Sequence, residues 1–320
     1  MVIMTLIILI LIGLSLYMGN TIYSPKIVWR VLSGENIKGA TYAIKSIRLP
    51  RLFAGIFAGI AFGMGGFVFQ TMLRNHLASP DIIGITSGSG AVAVICILIF
   101  KVSGFSASAF SVIGGLSITV LIFILASWKG FSNERMILIG IGMQAIMRAI
   151  INFVIQKAST YDVPAALRWL SGSLNGVAMS SIPIMSLTIA LGAIVILVFE
   201  DQLKIIELGD ESAVALGVKI TRVRALLSVV SVIMLAFAIA VAGPIASVAF
   251  LSGPISSKIT GKSQANAGAA ALVGIILILA SDLTGQFALG SRFPVGVVTG
   301  LLGTPYLLYL LITMNRKNKI

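Results

Sequence analysis

Apolar runs of about twenty residues recur along most of this chain, separated by short polar breaks, and a run of that length is what one helix needs to cross a bilayer core. Reading runs and breakers together places spans near 1–18, 52–72, 82–100, 108–128, 135–156, 181–199, 224–243, 245–260, 264–285 and 294–313. Composition agrees: of 320 residues, 58% are hydrophobic and 10% charged. With a mean hydropathy of +1.07, too little polar surface remains to coat a soluble globule. The expected fold is all-α: one polytopic integral membrane domain over residues 1–320 with about ten transmembrane helices. Met1 to Tyr17 lacks the basic start and small-residue cleavage pattern of a signal peptide, so it reads as a retained first span. The eighth span is short, opened by Gly243-Pro244 and expected to be interrupted at Gly253-Pro254. Broken backbone at membrane depth survives only inside protein or along a cavity, which places this segment centrally.

The net charge of +13 suits lipid headgroups or acidic protein partners better than nucleic acid when so little polar surface exists. Three polar stretches carry most of it. An expected outer loop over about 19–51 holds Lys26, Arg30, Lys38, Lys45, Arg48 and Arg51; residues 157–180 hold Pro164, Trp169 and Gly172. The third, about 200–223, mixes both signs: Glu200, Asp201, Lys204, Glu207, Asp210, Glu211, Lys219 and Arg222. There Asp210 or Ser212 can cap a short helix that runs through Val214 to Leu216 and ends at Gly217. Basic residues divide almost evenly between the two faces, so their bias does not orient the chain. With both termini inside, the outer face would carry only Glu35 and Asp162 as acids, which suits either a reversed orientation or an acidic partner docking there.

Catalytic patterns are missing. No phosphate-binding loop, zinc-protease motif or nucleophile elbow occurs, and Cys96 and His76 are each the sole residue of their kind. We therefore expect no enzyme activity, no cofactor and no metal site. Arg148 and Asp282 are the charges placed within spans. Such groups are costly in lipid and usually functional. Asp282 reads as a hydrogen-bonded structural carboxylate, whereas pairing within the bundle and lining a pathway stand level for Arg148. One carboxylate is thin support for an ion-coupled secondary transporter, the reading from a different class. A pathway without its own energy source should borrow one, and the mixed-charge stretch at 200–223 resembles a docking surface for the protein that supplies it.

Several blocks carry a resemblance. Arg48-Leu49-Pro50-Arg51 precedes a glycine-rich span ending at Gln70, then Arg74-Asn75-His76-Leu77-Ala78-Ser79-Pro80-Asp81. Later come Ser171-Gly172-Ser173-Leu174, Leu208-Gly209-Asp210-Glu211-Ser212-Ala213 with Leu216-Gly217-Val218, Ala242-Gly243-Pro244-Ile245, and Phe293-Pro294-Val295-Gly296 through Gly300. In this order the chain resembles the iron-siderophore, haem and vitamin B12 permeases of ABC importers, the FecCD-type family. It departs from the family pattern at His76-Leu77 and at Gly253-Pro254-Ile255-Ser256, where a Pro-His pair is usual.

The resemblance implies a type II ABC importer permease in a bacterial cell membrane, with both termini cytoplasmic. It implies as partners two copies of an ATPase subunit, an extracytoplasmic binding lipoprotein and a second permease, identical or related. By position, Arg48, Arg51 and Arg292 would meet the binding protein; Leu208, Gly209, Asp210, Glu211, Ser212, Ala213, Leu216 and Gly217 would contact the ATPase. Gly140, Gly142, Gln144, Arg148 and Asn152 of the fifth span would line or gate the path, with a short helix near 164–175. The expected cargo is a ferric siderophore, with haem or cobalamin as alternatives.

Overall fold

The computed structural model describes residues 1–75, 78–102, 104–128, 133–261 and 266–317. Each apolar run closes into a helix, because a segment in lipid must satisfy its amides and carbonyls within itself. The helices are α1 (Val2–Tyr17), α2 (Pro25–Leu32), α3 (Leu49–Met72), α4 (Ile85–Leu98), α5 (Phe105–Ser127), α6 (Asn133–Lys157), α7 (Val163–Leu170), α8 (Ile182–Val198), α9 (Glu200–Glu207), α10 (Asp210–Ala215), α11 (Ile220–Ala242), α12 (Val248–Thr260), α13 (Ala267–Phe287) and α14 (Val295–Lys317). A wider π-helical turn, Tyr42–Arg48, runs directly into α3, and no strand occurs among the described residues.

The ten expected spans map one to one onto α1, α3, α4, α5, α6, α8, α11, α12, α13 and α14. Six helical stretches are long and apolar enough to cross a membrane, and α1, α4 and Val295–Tyr306 of α14 are shorter apolar helices. At 13 residues, α12 is about 20 Å long and does not span alone. His76 lies outside the described residues.

Burial sorts the helices into a centre and a wall. The α3 stretch is 78% buried over its apolar window, while the corresponding figure for α6 is 17%. Around α3 pack α13, α11, α12 and α8, with α1 laid on α13; α4, α5, α6 and α7 form a second group held mainly through α11. The tightest approach is between α3 and α13, where glycines replace side chains. A Cβ on Gly63 would stand 2.3 Å from the Ala270 carbonyl oxygen, and one on Gly274 would stand 2.1 Å from that of Gly59. Small residues of this kind let membrane helices meet backbone to backbone.

The eighth span corrects the sequence reading. Its non-helical part is 243–247, and α12 then continues through Pro254 without a break. Proline has no amide for the carbonyl four residues back, that of Phe250. Gln70 of α3 fills the gap: its Nε2 donates to the Phe250 oxygen at 2.8 Å. Gly253 makes the room, since a Cβ there would lie 2.0 Å from Gln70 Oε1.

Candidate functional site

The chain presents three features that can do work: an arginine-rich end, a mixed-charge end opposite it, and the exposed wall of α6. At the first end Pro50 follows the π-helical turn. Its missing amide is compatible with the wider register there, in which Leu49 N–H reaches back to the Ile44 oxygen. Arg48 is thereby turned inward. It is buried, donates to the carbonyls of Leu16, Tyr17 and Thr21, and lies 5.0 Å over the Tyr23 ring. Cations suit a helix C-terminus, where carbonyls lack partners. Arg48, which the resemblance assigns to a docking face, clamps the end of α1.

Arg51 is engaged as well. Its Nη2 and Nε donate to Asp282 Oδ1 and Oδ2 at 2.7 and 2.8 Å, and Nη1 donates to Asn175 Oδ1 at 3.1 Å. Gln286 Nε2 adds a third donor to Asp282 Oδ2 at 2.8 Å. The structural reading of Asp282 agrees with this geometry: a forked pair, side chains 17% and 6% exposed, ties α3 to α13. Arg292 is exposed and donates to Asn20 Oδ1. A cavity of about 600 Å³ opens here, lined by Arg51, Arg168, Trp169, Ser173, Asn175 and Arg292 among others. Arg168, exposed on α7, carries no pattern in the sequence, being a single cation in a short and otherwise apolar helix.

At the opposite end, Asp210 opens α10 and is held by two arginines. Arg224 Nη1 and Nη2 donate to its Oδ2 and Oδ1 at 2.9 and 2.8 Å, and Arg74 Nη2 also donates to Oδ1. The residue expected to contact an ATPase is thus a latch pinning α10 to the ends of α3 and α11. Ala213 is fully buried beneath it, while Leu208, Val214 and Leu216 are 70%, 65% and 63% exposed. Glu211, Ser212 and Gly217 are exposed beside them, and Gly209 turns between the helices at a φ of +125°. The result is an apolar knob with an acidic neighbour; Val214, a helix residue in the sequence reading, belongs to it.

Hydrogen bonds from Arg224, then the charges of Arg224 and Arg74, hold the Asp210 carboxyl below its ordinary range. A depressed carboxylate stabilises above its unfolded pKa and loses that contribution as pH falls through its folded value. The latch should therefore be unchanged from pH 7 down to about 4, the ordinary aspartate range, and loosen below it. With the Asp210 side chain 46% exposed, we expect a small effect, under about 1 kcal/mol. A spin label at position 214 should gain mobility below that pH in the native chain, and be mobile at every pH in Asp210→Asn.

The third feature is α6. Arg148, Asn152 and Gln156 recur every four residues and all three are exposed, so they share one side of the helix. Gly142 is exposed with nothing within 4 Å of a Cβ. Two other pathway candidates are placed differently. Gly140 is buried, and Gln144 is half-buried with its Nε2 donating to the Asp81 carbonyl. An unpaired arginine near the middle of a helix facing lipid costs about 2.5–3.5 kcal/mol on insertion scales. This side of α6 therefore needs a partner other than hydrocarbon.

Comparison with known proteins supplies the context for these three surfaces. The FecCD transport family matches residues 6–313. The chain belongs to this family. Its relatives include the ferric enterobactin transport system permease protein FepG of Escherichia coli K12, 34% identical over 91% of this chain and 88% of the relative. The Fe(3+)-citrate import system permease protein YfmE of Bacillus subtilis 168 is 33% identical over 98% of this chain and 95% of its own. A solved inward-facing metal-chelate type ABC transporter superposes with a TM-score of 0.86 at 25% identity, covering 97% of each chain. As a FecCD permease the chain is the non-catalytic membrane part of an ABC importer, and ATP hydrolysis belongs to partner ATPases. FecCD permeases work with such ATPases and with substrate-binding proteins, and this chain presents polar and charged surfaces at both ends.

Proposed function

We propose that the chain forms, with a second permease, the translocation path for a ferric chelate of the siderophore kind across a bacterial cell membrane. The observation that carries this reading is the exposed polar side of α6, which makes sense only beside another subunit and an aqueous path. The iron chelates in the names of FepG and YfmE support the cargo. The α9–α10 knob seats one of two ATPase copies on the cytoplasmic side, where both termini also lie. The arginine end then faces outward and receives a binding lipoprotein. With Arg48 and Arg51 engaged inside the chain, docking falls to exposed cations: Arg292, Arg168, Lys26 and Lys45.

The test is uptake by the assembled transporter, the permease pair with its ATPase and binding protein in vesicles. Radioiron should enter as its chelate only when ATP is inside. Uptake driven by an ion gradient without the ATPase would overturn the reading. Two charge changes separate the ends. Val214→Asp with Leu216→Asp should release the ATPase, because desolvated apolar anchors carry most of an interface's energy, while binding-protein capture continues. Arg292→Glu with Lys26→Glu should slow binding-protein capture by roughly tenfold at low salt and leave the ATPase bound.

A further inference from the structure

Arg148 lies about 14 Å along α6 from Lys157, nine residues at about 1.5 Å each, and takes part in no ion pair among the described residues. The carboxylates of the chain do not answer it. Glu35 holds Arg30, Asp162 holds Lys101, Asp282 holds Arg51, Asp210 holds Arg74 and Arg224, and Glu200 and Asp201 hold Lys204. Asp81, beside Gln144, accepts from Thr86 and Ser79. Glu134 starts α6 about 21 Å away along the axis, and Glu207 and Glu211 belong to the α9–α10 end. These make up all ten acidic residues.

The surroundings extend the same charge. The cavity at the arginine-rich end is lined by Arg168 and Arg292, and by Arg51, whose charge Asp282 offsets. Arg168 rides on α7, whose Leu170 packs in one cluster with Val154, Ile150 and Ile151 of α6. Ile150, Ile151 and Val154 thus turn the packed side of α6 to α7, and Asn152 and Gln156 follow Arg148 along the exposed side.

We propose that the path takes chelates of net negative charge, with Arg148 as the cation that receives them and Asn152 and Gln156 as hydrogen-bonding groups beside it. This rests on the permease reading above and narrows its cargo. A guanidinium fork matches the paired oxygens of a carboxylate or of a catecholate displayed by an anionic ferric complex. An uncharged tris-hydroxamate or corrinoid offers no countercharge to offset the desolvation of Arg148.

The experiment compares the intact transporter with its Arg148→Gln and Arg148→Lys forms in cells stripped of other iron uptake. Radioiron is supplied as ferric citrate, as an anionic ferric tris-catecholate and as a neutral ferric tris-hydroxamate. We expect uptake of an anionic complex, a loss of roughly tenfold or more in Arg148→Gln, and recovery to within about threefold in Arg148→Lys. The second permease and the ATPase should co-purify equally with all three forms. Uptake confined to the neutral chelate, or undiminished anionic uptake in Arg148→Gln, overturns the inference while leaving the permease reading intact. Loss of the second permease from Arg148→Gln also overturns it, by showing that the arginine answers an acid of that subunit. Uptake of no chelate by the native transporter would remove the permease reading and this inference together.

Discussion

Asp282→Ala, with Arg51 left in place, should destabilise the protein by about 3–5 kcal/mol, the usual consequence of stranding one member of a buried ion pair. Arg51 would keep its hydrogen bond to Asn175 and lose both bonds to the carboxylate. Its side chain is 17% exposed and lines the cavity, so water can replace only part of what is lost. Arg51→Ala strands Asp282 in turn, though Gln286 still donates to one oxygen and should soften the loss. The decisive variant is the double one, Arg51→Met with Asp282→Leu. Removing both charges with apolar groups of similar size is often neutral, so the double variant should melt above either single one in detergent. A double variant no better than Asp282→Ala would mean that the pair contributes nothing through its pairing.

Gly63→Val should fail more completely. Its Cβ alone would sit 2.3 Å from the Ala270 oxygen and 3.0 Å from the carbon of that carbonyl. Both atoms are backbone, so no rotamer change can make space. Overpacking a yielding core costs about 1–3 kcal/mol; here α13 must move as a whole, and we expect at least the upper figure. Size-exclusion chromatography of the solubilised protein should show aggregate in place of a single peak. Gly142→Val is the matched control, since nothing lies within 4 Å of its Cβ, and it should elute as the native protein does.

The spans were legible because apolar runs and helix breakers are local signals. Even the irregular stretch before α12 was visible in Gly243-Pro244. What stayed hidden is the pairing of distant residues. Gln70 reads as an ordinary polar end to a glycine-rich run, yet its partner carbonyl is 180 residues away and exists as an acceptor only because of Pro254. Arg51 and Asp282 are 231 residues apart. In the sequence the arginine stands in a basic loop and the carboxylate within a span, and only the fold shows that they answer each other. Arg48 is a related case: a basic loop residue reads as exposed until the end of α1 is placed against it. At 208–217 the motif does not say which side of a six-residue helix turns inward, and the fold buries Ala213 while leaving Val214 and Leu216 exposed.

The glycine seam between α3 and α13 has a mechanical consequence. Where two backbones touch there are no side chains to re-pack, so the pair has no soft coordinate along which to slide. α9 also packs against α3, and α3 carries Arg51 and its bond to Asp282 at the far end. The glycine seam thus joins the α9 end of the molecule to the Arg51–Asp282 end through one helix. Compliance is left to the α4–α7 group, whose attachment runs mainly through α11. The molecule divides into a tightly packed column and a group attached beside it, and the arginine on α6 belongs to the second.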